Sequence, residues 1–205
     1  MTGESRIPCA NAAGPAPTAQ TGVQTTVDRA ALRKALAAER SRLDPAHKAH
    51  CDALIGARVL AWWQANAGLA DPLGVYWPLR GEPDLSDAYA ALAGLGVRLA
   101  LPVVLARDAA LGFAEWIPGE AMVKDSMGVA VPAVRRMLAR PPALLVPCLG
   151  YNAGRYRLGY GGGYYDRTLE AQPRPLTAGV AYACQEAQFA SAPHDVALDL
   201  VITEA

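Results

Sequence analysis

From Asp28 onward the apolar residues Leu32, Leu36 and Leu43 alternate with Arg29, Arg33 and Arg40, a spacing that predicts a helix. Arg29 and Arg33 are four residues apart and share one face of it. Leu43-Asp44-Pro45 reads as a cap with proline at the first helical position, opening a second helix that carries Leu54, Leu60 and Trp63 and ends near Asn66. The short apolar run over 74–79 suits a buried strand, and the polar loop Arg80-Gly81-Glu82-Pro83-Asp84 follows it. A helix over 87–94 and a strand over 97–104 continue an αβαβ order, which predicts an α/β protein. A strand over 109–116 then leads into a turn-rich, irregular arm, and 134–139 reads as a short helical or turn segment stopped by Pro141-Pro142. The strongly apolar 143–147 predicts a strand, a helix starts at Tyr164 and stops near Gln172-Pro173, and 177–183 predicts another strand. Asp195 and Asp199 flank a short apolar stretch that enters a final strand.

Residues 1–26 interrupt this pattern. They are Ala, Pro, Gly, Thr and Gln with almost no large apolar side chain, so a disordered or loosely attached segment is expected, with the folded domain over 27–205.

Composition narrows the functional class. The 205 residues are 52% hydrophobic and 19% charged, enough apolar surface for one domain with a proper core. Lys plus Arg equals Asp plus Glu at 19 each, so a bulk polyanion such as nucleic acid is not an expected partner, whereas a small phosphorylated ligand needs only a local basic site. The cysteines Cys9, Cys51, Cys148 and Cys184 show no CxxC and no zinc spacing and read as ordinary thiols in a reducing compartment. No window reaches transmembrane length and no secretory signal precedes the domain, so no membrane partner and a cytoplasmic location are expected. A monomer is expected.

The candidate chemistry lies late in the chain. The run 145–167 passes from a short apolar strand into Arg157-Leu158-Gly159-Tyr160-Gly161-Gly162-Gly163 and leaves it through Tyr164-Tyr165-Asp166-Arg167. Glycine is entropically costly, so this density implies unusual backbone angles or close approach to a ligand. A loop of exposed N–H groups that opens a helix forms a phosphate or carboxylate cradle, and Arg157 and Arg167 would reinforce it. The run is neither a Walker A loop, which needs Lys-Ser/Thr, nor a dinucleotide fingerprint, which belongs early in a βαβ unit. Glu82 follows a strand, where ligands of open α/β sheets bind; it could hold a polar ligand group or, with Asp84, cap the next helix. His194 beside Asp195 could form a proton-transfer pair or simply a turn. No G-x-S-x-G elbow, H-E-x-x-H or acidic calcium loop occurs, and Cys148 is expected to be buried rather than reactive. Positive groups, backbone N–H groups, aromatics and a few carboxylates are what phosphoryl transfer needs.

The stretch Arg157-Leu158-Gly159-Tyr160-Gly161-Gly162-Gly163-Tyr164-Tyr165-Asp166-Arg167 resembles the signature of 5-formyltetrahydrofolate cyclo-ligases, also called methenyltetrahydrofolate synthetases. The resemblance extends to Val146-Pro147, to 194–204, to Arg29 and Arg33, and to 76–82, in consistent order. It implies a single three-layer α/β domain with a mostly parallel central sheet flanked by helices. It also implies an enzyme that uses ATP and Mg2+ to convert 5-formyltetrahydrofolate into 5,10-methenyltetrahydrofolate, releasing ADP and phosphate after the formyl oxygen is phosphorylated. Carried over by position, Arg29, Arg33, Arg157, Leu158, Gly159, Tyr160, Gly161, Gly162, Gly163, Tyr164 and Tyr165 would hold the nucleotide. Arg157, Tyr164, Tyr165 and Asp166 would serve catalysis. The reduced folate would meet Arg33, Leu79, Glu82, Trp116, Tyr160 and Tyr164, with the apolar arm around Met122 beside it. Asp166 and Asp199, hard oxygen ligands, would serve magnesium. Relatives commonly carry Phe-Asp where this chain has Tyr151-Asn152, an acidic or amide residue at Val131, and alanine at Gly150. An ATP-using paralogue with another small substrate, or a nucleotide- or folate-binding protein without turnover, are the alternatives.

Overall fold

The computed structural model describes residues 28–66, 68, 71–125 and 127–205, so the expectation for 1–26 lies outside the described residues. Helix α1 (Arg29–Arg40) starts where predicted, with the Asp28 carboxylate accepting the Ala30 amide at its N-terminus. Helix α2 (Pro45–Asn66) opens on Asp44, whose Oδ2 accepts the amides of Ala46 and His47, both at 3.0 Å. Strand β1 (Leu73–Gly74), helix α3 (Ser86–Gly94), β2 (Leu99–Val104) and β3 (Leu111–Trp116) follow. The arm holds β4 (Met122–Lys124) and β5 (Ala130–Pro132), and β6 (Met137–Leu138) leads back to the sheet. Then come β7 (Ala143–Pro147), the short strands β8 (Gly150–Tyr151) and β9 (Arg157–Leu158), α4 (Tyr164–Glu170), β10 (Leu176–Val180) and β11 (Leu200–Ile202).

Seven strands form one sheet in the order β11-β10-β7-β1-β2-β3-β6. The five from β11 to β2 are parallel, and β3 and β6 extend them antiparallel. The central strand β7 is buried on both faces, as parallel strands covered by helices must be. Its Ala143 and Leu145 pack with Ile55, Val59 and Trp63 of α2 and Leu92 of α3. Its Leu144 and Val146 pack with Leu169 of α4 on the other face. The expected three layers are present. Helix α1 stands apart, pressing Leu36 onto Leu149, Leu158 and Phe189 beyond the carboxyl end of β7.

Three expectations change. The strand expected over 74–79 ends early, because beyond Val75 the chain leaves the sheet and Pro78 has no N–H for a ladder. The irregular arm contains an antiparallel hairpin, β4 with β5, in which Val131 is fully buried against Val103 and Ala114. The segment over 134–139 is not helical: Met137 and Leu138 pair with Ala114 and Phe113, taking up the open edge of β3.

Candidate anion and carboxylate site

The site lies where the strand order turns, beyond the carboxyl ends of β1, β7 and β10, the expected place in an open parallel sheet. After β7 the chain makes the β8–β9 hairpin, pairing Tyr151 with Arg157 and Gly150 with Leu158. The buried Gln185 side chain, following β10, donates to the Leu149 carbonyl at 2.6 Å and fixes the hairpin's root. A Cβ on Gly150 would stand 2.5 Å from Leu36 Cδ1 of α1, so a larger residue there would need the Leu36 side chain to shift. Asn152 bridges the hairpin turn to the Phe189 carbonyl (2.9 Å) and accepts the Tyr156 amide (3.0 Å), a structural use of the side chain.

Arginines from three directions hold the glycine loop. Arg33 of α1 donates Nε to the Gly159 carbonyl at 2.8 Å, and a Cβ on Gly161 would lie 3.7 Å from its Cζ. Arg167 of α4 donates to the Gly162 carbonyl at 2.8 Å. Arg157 is buried, with Nη2 2.7 Å from Asp166 Oδ1 and its guanidinium 5.3 Å from the Tyr165 ring centroid. Nη2 is therefore occupied by the carboxylate, while Nε of Arg157 is buried without an acceptor. Among the described residues, no amide from 159 to 163 donates an internal hydrogen bond. Gly161 (φ 95°) and Gly163 (φ 64°) adopt the left-handed backbone that lets the loop turn without side-chain strain. Buried cationic donors without acceptors, beside free loop amides, fit an anion of phosphate geometry. Helix α4 has only seven residues, so the charge for such an anion comes from the arginines rather than from a helix dipole.

Arg29, the other predicted α1 arginine, is 2.5 Å from Asp195 Oδ2 and 5.6 Å from the centroid of Phe189. Burial would raise the Asp195 carboxyl, but the Arg29 hydrogen bond and the Ala192 amide overcome it and hold the group below its ordinary range. Sequence reasoning gave Asp195 no site role, reading it as a possible partner of His194 and as one flank of the apolar stretch before the last strand. His194 is exposed and 3.9 Å away, which makes it a weak neighbour.

Glu82 is buried on the loop after β1, and its Oε2 accepts the Leu79 amide at 2.9 Å. Burial pushes its carboxyl up, opposed by that amide and by the charge of Arg40. At the start of α3 it is Asp84 that accepts the Ser86 amide, at 3.0 Å, and Glu82 makes no contact with the helix end. Tyr160 reaches across from the glycine loop with the Arg80 guanidinium 5.0 Å from its ring centroid. Trp116 is packed edge-on against Trp77 and Tyr89, both at 5.9 Å, with Nε1 buried and lacking an acceptor. Tyr165 is pushed well up by burial, as is Cys148, to about 12, which leaves that thiol inert as expected.

The structure does not bring Asp199 to this cluster. Its Oδ2 accepts the amide (2.8 Å) and hydroxyl (2.6 Å) of Thr177 at the start of β10, and Oδ1 is 3.6 Å from Arg174. Among the described residues no group of three His, Cys, Asp or Glu side chains forms a metal cage. A cleft of about 410 Å³ between α2 and α3 is lined by Asp52, Asp84 and Asp87 rather than by the arginines. Among the described residues no helix is long and apolar enough to cross a membrane.

Fold and site together define an α/β protein with a glycine loop held by arginines beside a buried carboxylate, at the carboxyl edge of its parallel strands. Comparison with known proteins sharpens this. The family model described as the 5-formyltetrahydrofolate cyclo-ligase family matches residues 25–204, and the chain belongs to that family. A 5-formyltetrahydrofolate cyclo-ligase of Mycoplasma pneumoniae is 28% identical over 180 residues, covering 87% of this chain and 99% of the relative. One from Escherichia coli is 32% identical over 124 residues, covering 57% and 68%. A solved 5,10-methenyltetrahydrofolate synthetase from Mycoplasma pneumoniae superposes with a TM-score of 0.73 at 26% identity, over 87% of this chain and 99% of that one.

Proposed function

We propose that the protein converts 5-formyltetrahydrofolate into 5,10-methenyltetrahydrofolate at the expense of ATP, releasing ADP and phosphate. Membership of the family supports the reaction, and buried Arg157, ion-paired to Asp166 with its Nε lacking an acceptor beside the glycine loop, carries the nucleotide assignment. Ring closure is difficult because a formamide carbonyl is a poor electrophile and its oxygen a poor leaving group. Phosphoryl transfer from ATP to that oxygen turns it into phosphate. The N10 amine then attacks the formyl carbon, and phosphate departs with the C–O bond.

In this reading Arg29, Arg33 and Arg157, with Leu158, Gly159, Tyr160, Gly161, Gly162 and Gly163, hold the triphosphate, and Arg157 offsets charge developing on the moving phosphoryl group. Tyr164 and Tyr165 stand between nucleotide and folate. Glu82 accepts hydrogen bonds from the donor edge of the pterin, with Arg33, Leu79, Trp116, Tyr160 and Tyr164 around the folate. Among the described residues the side chains form no protein-built metal cage. Magnesium carried by the triphosphate needs only one or two carboxylates, and Asp166 is our assignment for that contact. We assign Asp199 to joining β10 and β11 instead. Cys51, Cys148 and Cys184 are free thiols, in keeping with action in a reducing cytoplasm.

The test is direct. Purified protein with Mg-ATP and 5-formyltetrahydrofolate should give methenyl product by absorbance with one phosphate released per product. ATP binding without product would overturn the assignment.

A further inference from the structure

Arg40, the last residue of α1, is a buried arginine, 3% exposed, and among the described residues no carboxylate lies within 4 Å of its guanidinium nitrogens. It follows Arg33 by seven residues, two helical turns, and therefore continues the face that carries Arg29 and Arg33. Its Nη2 is shared between two loops: it donates to the Arg80 carbonyl at 2.9 Å and to the Tyr160 hydroxyl. Its guanidinium also lies 5.9 Å from the centroid of the Tyr160 ring. Nε and Nη1 are buried without acceptors, and Nε faces Gly81, where a Cβ would come within 4.0 Å of it. A buried guanidinium with unpaired donors is expensive, so a role in stability alone does not account for it. It spans the two loops that the proposed reaction must bring together, and it sits at the turn that aims Glu82.

We propose that Arg40 is a positioning residue: by clamping the Arg80-Gly81 turn to Tyr160, it holds the Glu82 carboxylate in place for the reduced folate. This rests on the folate reading of the site given above. The charged and titratable groups around Glu82 are Arg40 from α1, Arg80 from its own loop, Tyr76 just after β1, Tyr160 from the glycine loop, Tyr89 from α3, and Tyr165 and Cys148 from beyond β7. Of these, Arg40 and Arg80 are the cations that oppose the effect of burial on the Glu82 carboxyl, and Arg40 is the larger influence. Removing Arg40 therefore lets the carboxyl rise further, so that folate binding is lost at a higher pH.

Equilibrium binding of 5-formyltetrahydrofolate and of ATP is measured across pH for the wild type, Arg40→Gln and Arg40→Lys. Arg40→Gln should weaken folate binding about tenfold, the cost of losing a charge-assisted bond, and shift its acid limb to higher pH. ATP binding should change much less. Arg40→Lys keeps the charge without the fork, so it should weaken folate binding several-fold with the acid limb in place. If Arg40→Gln does not fold, Arg40→Lys decides: folate affinity equal to wild type overturns the proposal. So does an unshifted acid limb in folded Arg40→Gln. A wild type that fails to bind 5-formyltetrahydrofolate overturns the folate reading, and this inference falls with it.

Discussion

Arg157 Nη2 stands 2.7 Å from Asp166 Oδ1, so the cation assigned to the triphosphate and the carboxylate assigned to its magnesium neutralise each other across the hairpin and the first turn of α4. The side chains are 6% and 16% exposed, and breaking the pair from the acidic side leaves a buried guanidinium uncompensated. Asp166→Asn should cost roughly 2–3 kcal/mol, at or below the lower end for buried pairs because Asp166 keeps some solvent. Chemical denaturation of both proteins reads this difference. Arg157→Ala should instead raise the ATP requirement about tenfold or more, with a smaller effect on folate. If the folate requirement rises as much, the division of roles between Arg157 and Glu82 is wrong.

Glu82 gives a prediction of opposite sign in stability and in function. A carboxyl whose folded pKa is raised binds its proton more readily in the folded state. The folded protein is then favoured below the unfolded value, and stability falls as pH rises through the window up to the raised folded value. Glu82→Gln removes this loss and can still accept the Leu79 amide. Thermal melts should therefore show Glu82→Gln more stable than wild type at pH 7, with the gap closing in acid. The same substitution should raise the 5-formyltetrahydrofolate requirement about tenfold and leave ATP nearly untouched. A variant that is destabilised at neutral pH would show that Glu82 gains more from its surroundings than burial takes away.

Much of the architecture was legible because it depends on local pattern. Asp44-Pro45 marks the start of α2, and the unbroken apolar run of β7 marks a strand buried on both faces. The segment containing Met137 and Leu138 was not legible, since its conformation is set by the open edge of β3, more than twenty residues earlier. The glycine loop could be found from composition, whereas spacing placed the α1 arginines on one face and only the family resemblance gave them a role. Arg40 follows the same period but is separated from Arg33 by two turns, and its acceptors come from distant loops. Asp195 and Asp199 look alike in sequence, four residues apart on either side of an apolar stretch. Only the pairing of β10 with β11 shows that one faces Arg29 and the other Thr177.

Gly162 separates steric from electrostatic work in the cradle. A Cβ there would come within 2.8 Å of the Tyr164 ring, closer than van der Waals contact allows, although Gly162 is not one of the left-handed glycines. Gly162→Ala should displace Tyr164 and reduce kcat/KM for ATP about tenfold, with a stability loss of about 1–2 kcal/mol. The double variant Gly162→Ala/Tyr164→Ala should be no worse than Tyr164→Ala alone, because the clash is gone. Additive losses in that cycle would mean that Gly162 acts through its backbone amide rather than through the space beside Tyr164.

The two acids near the C-terminus should part company in the same assay. Asp195 Oδ2 is 2.5 Å from Arg29 Nη2 and also accepts the Ala192 amide at 2.7 Å, so it fixes the arginine that we assign to ATP. Its carboxyl is held below the ordinary range, so its contribution to stability is present above the unfolded value and is lost as pH falls through the folded value. Asp195→Asn should therefore be destabilised at pH 7, converge with wild type in strong acid, and need about tenfold more ATP for half-maximal rate. Asp199 holds Thr177 by two hydrogen bonds in the strand pairing and makes no contact with the arginines of the cradle. Asp199→Asn should lower stability by about 1–3 kcal/mol while the ATP and magnesium requirements stay at wild-type values. A raised magnesium requirement in folded Asp199→Asn, with Asp195→Asn unaffected, would return the metal contact to Asp199 and reverse the assignment of these two carboxylates.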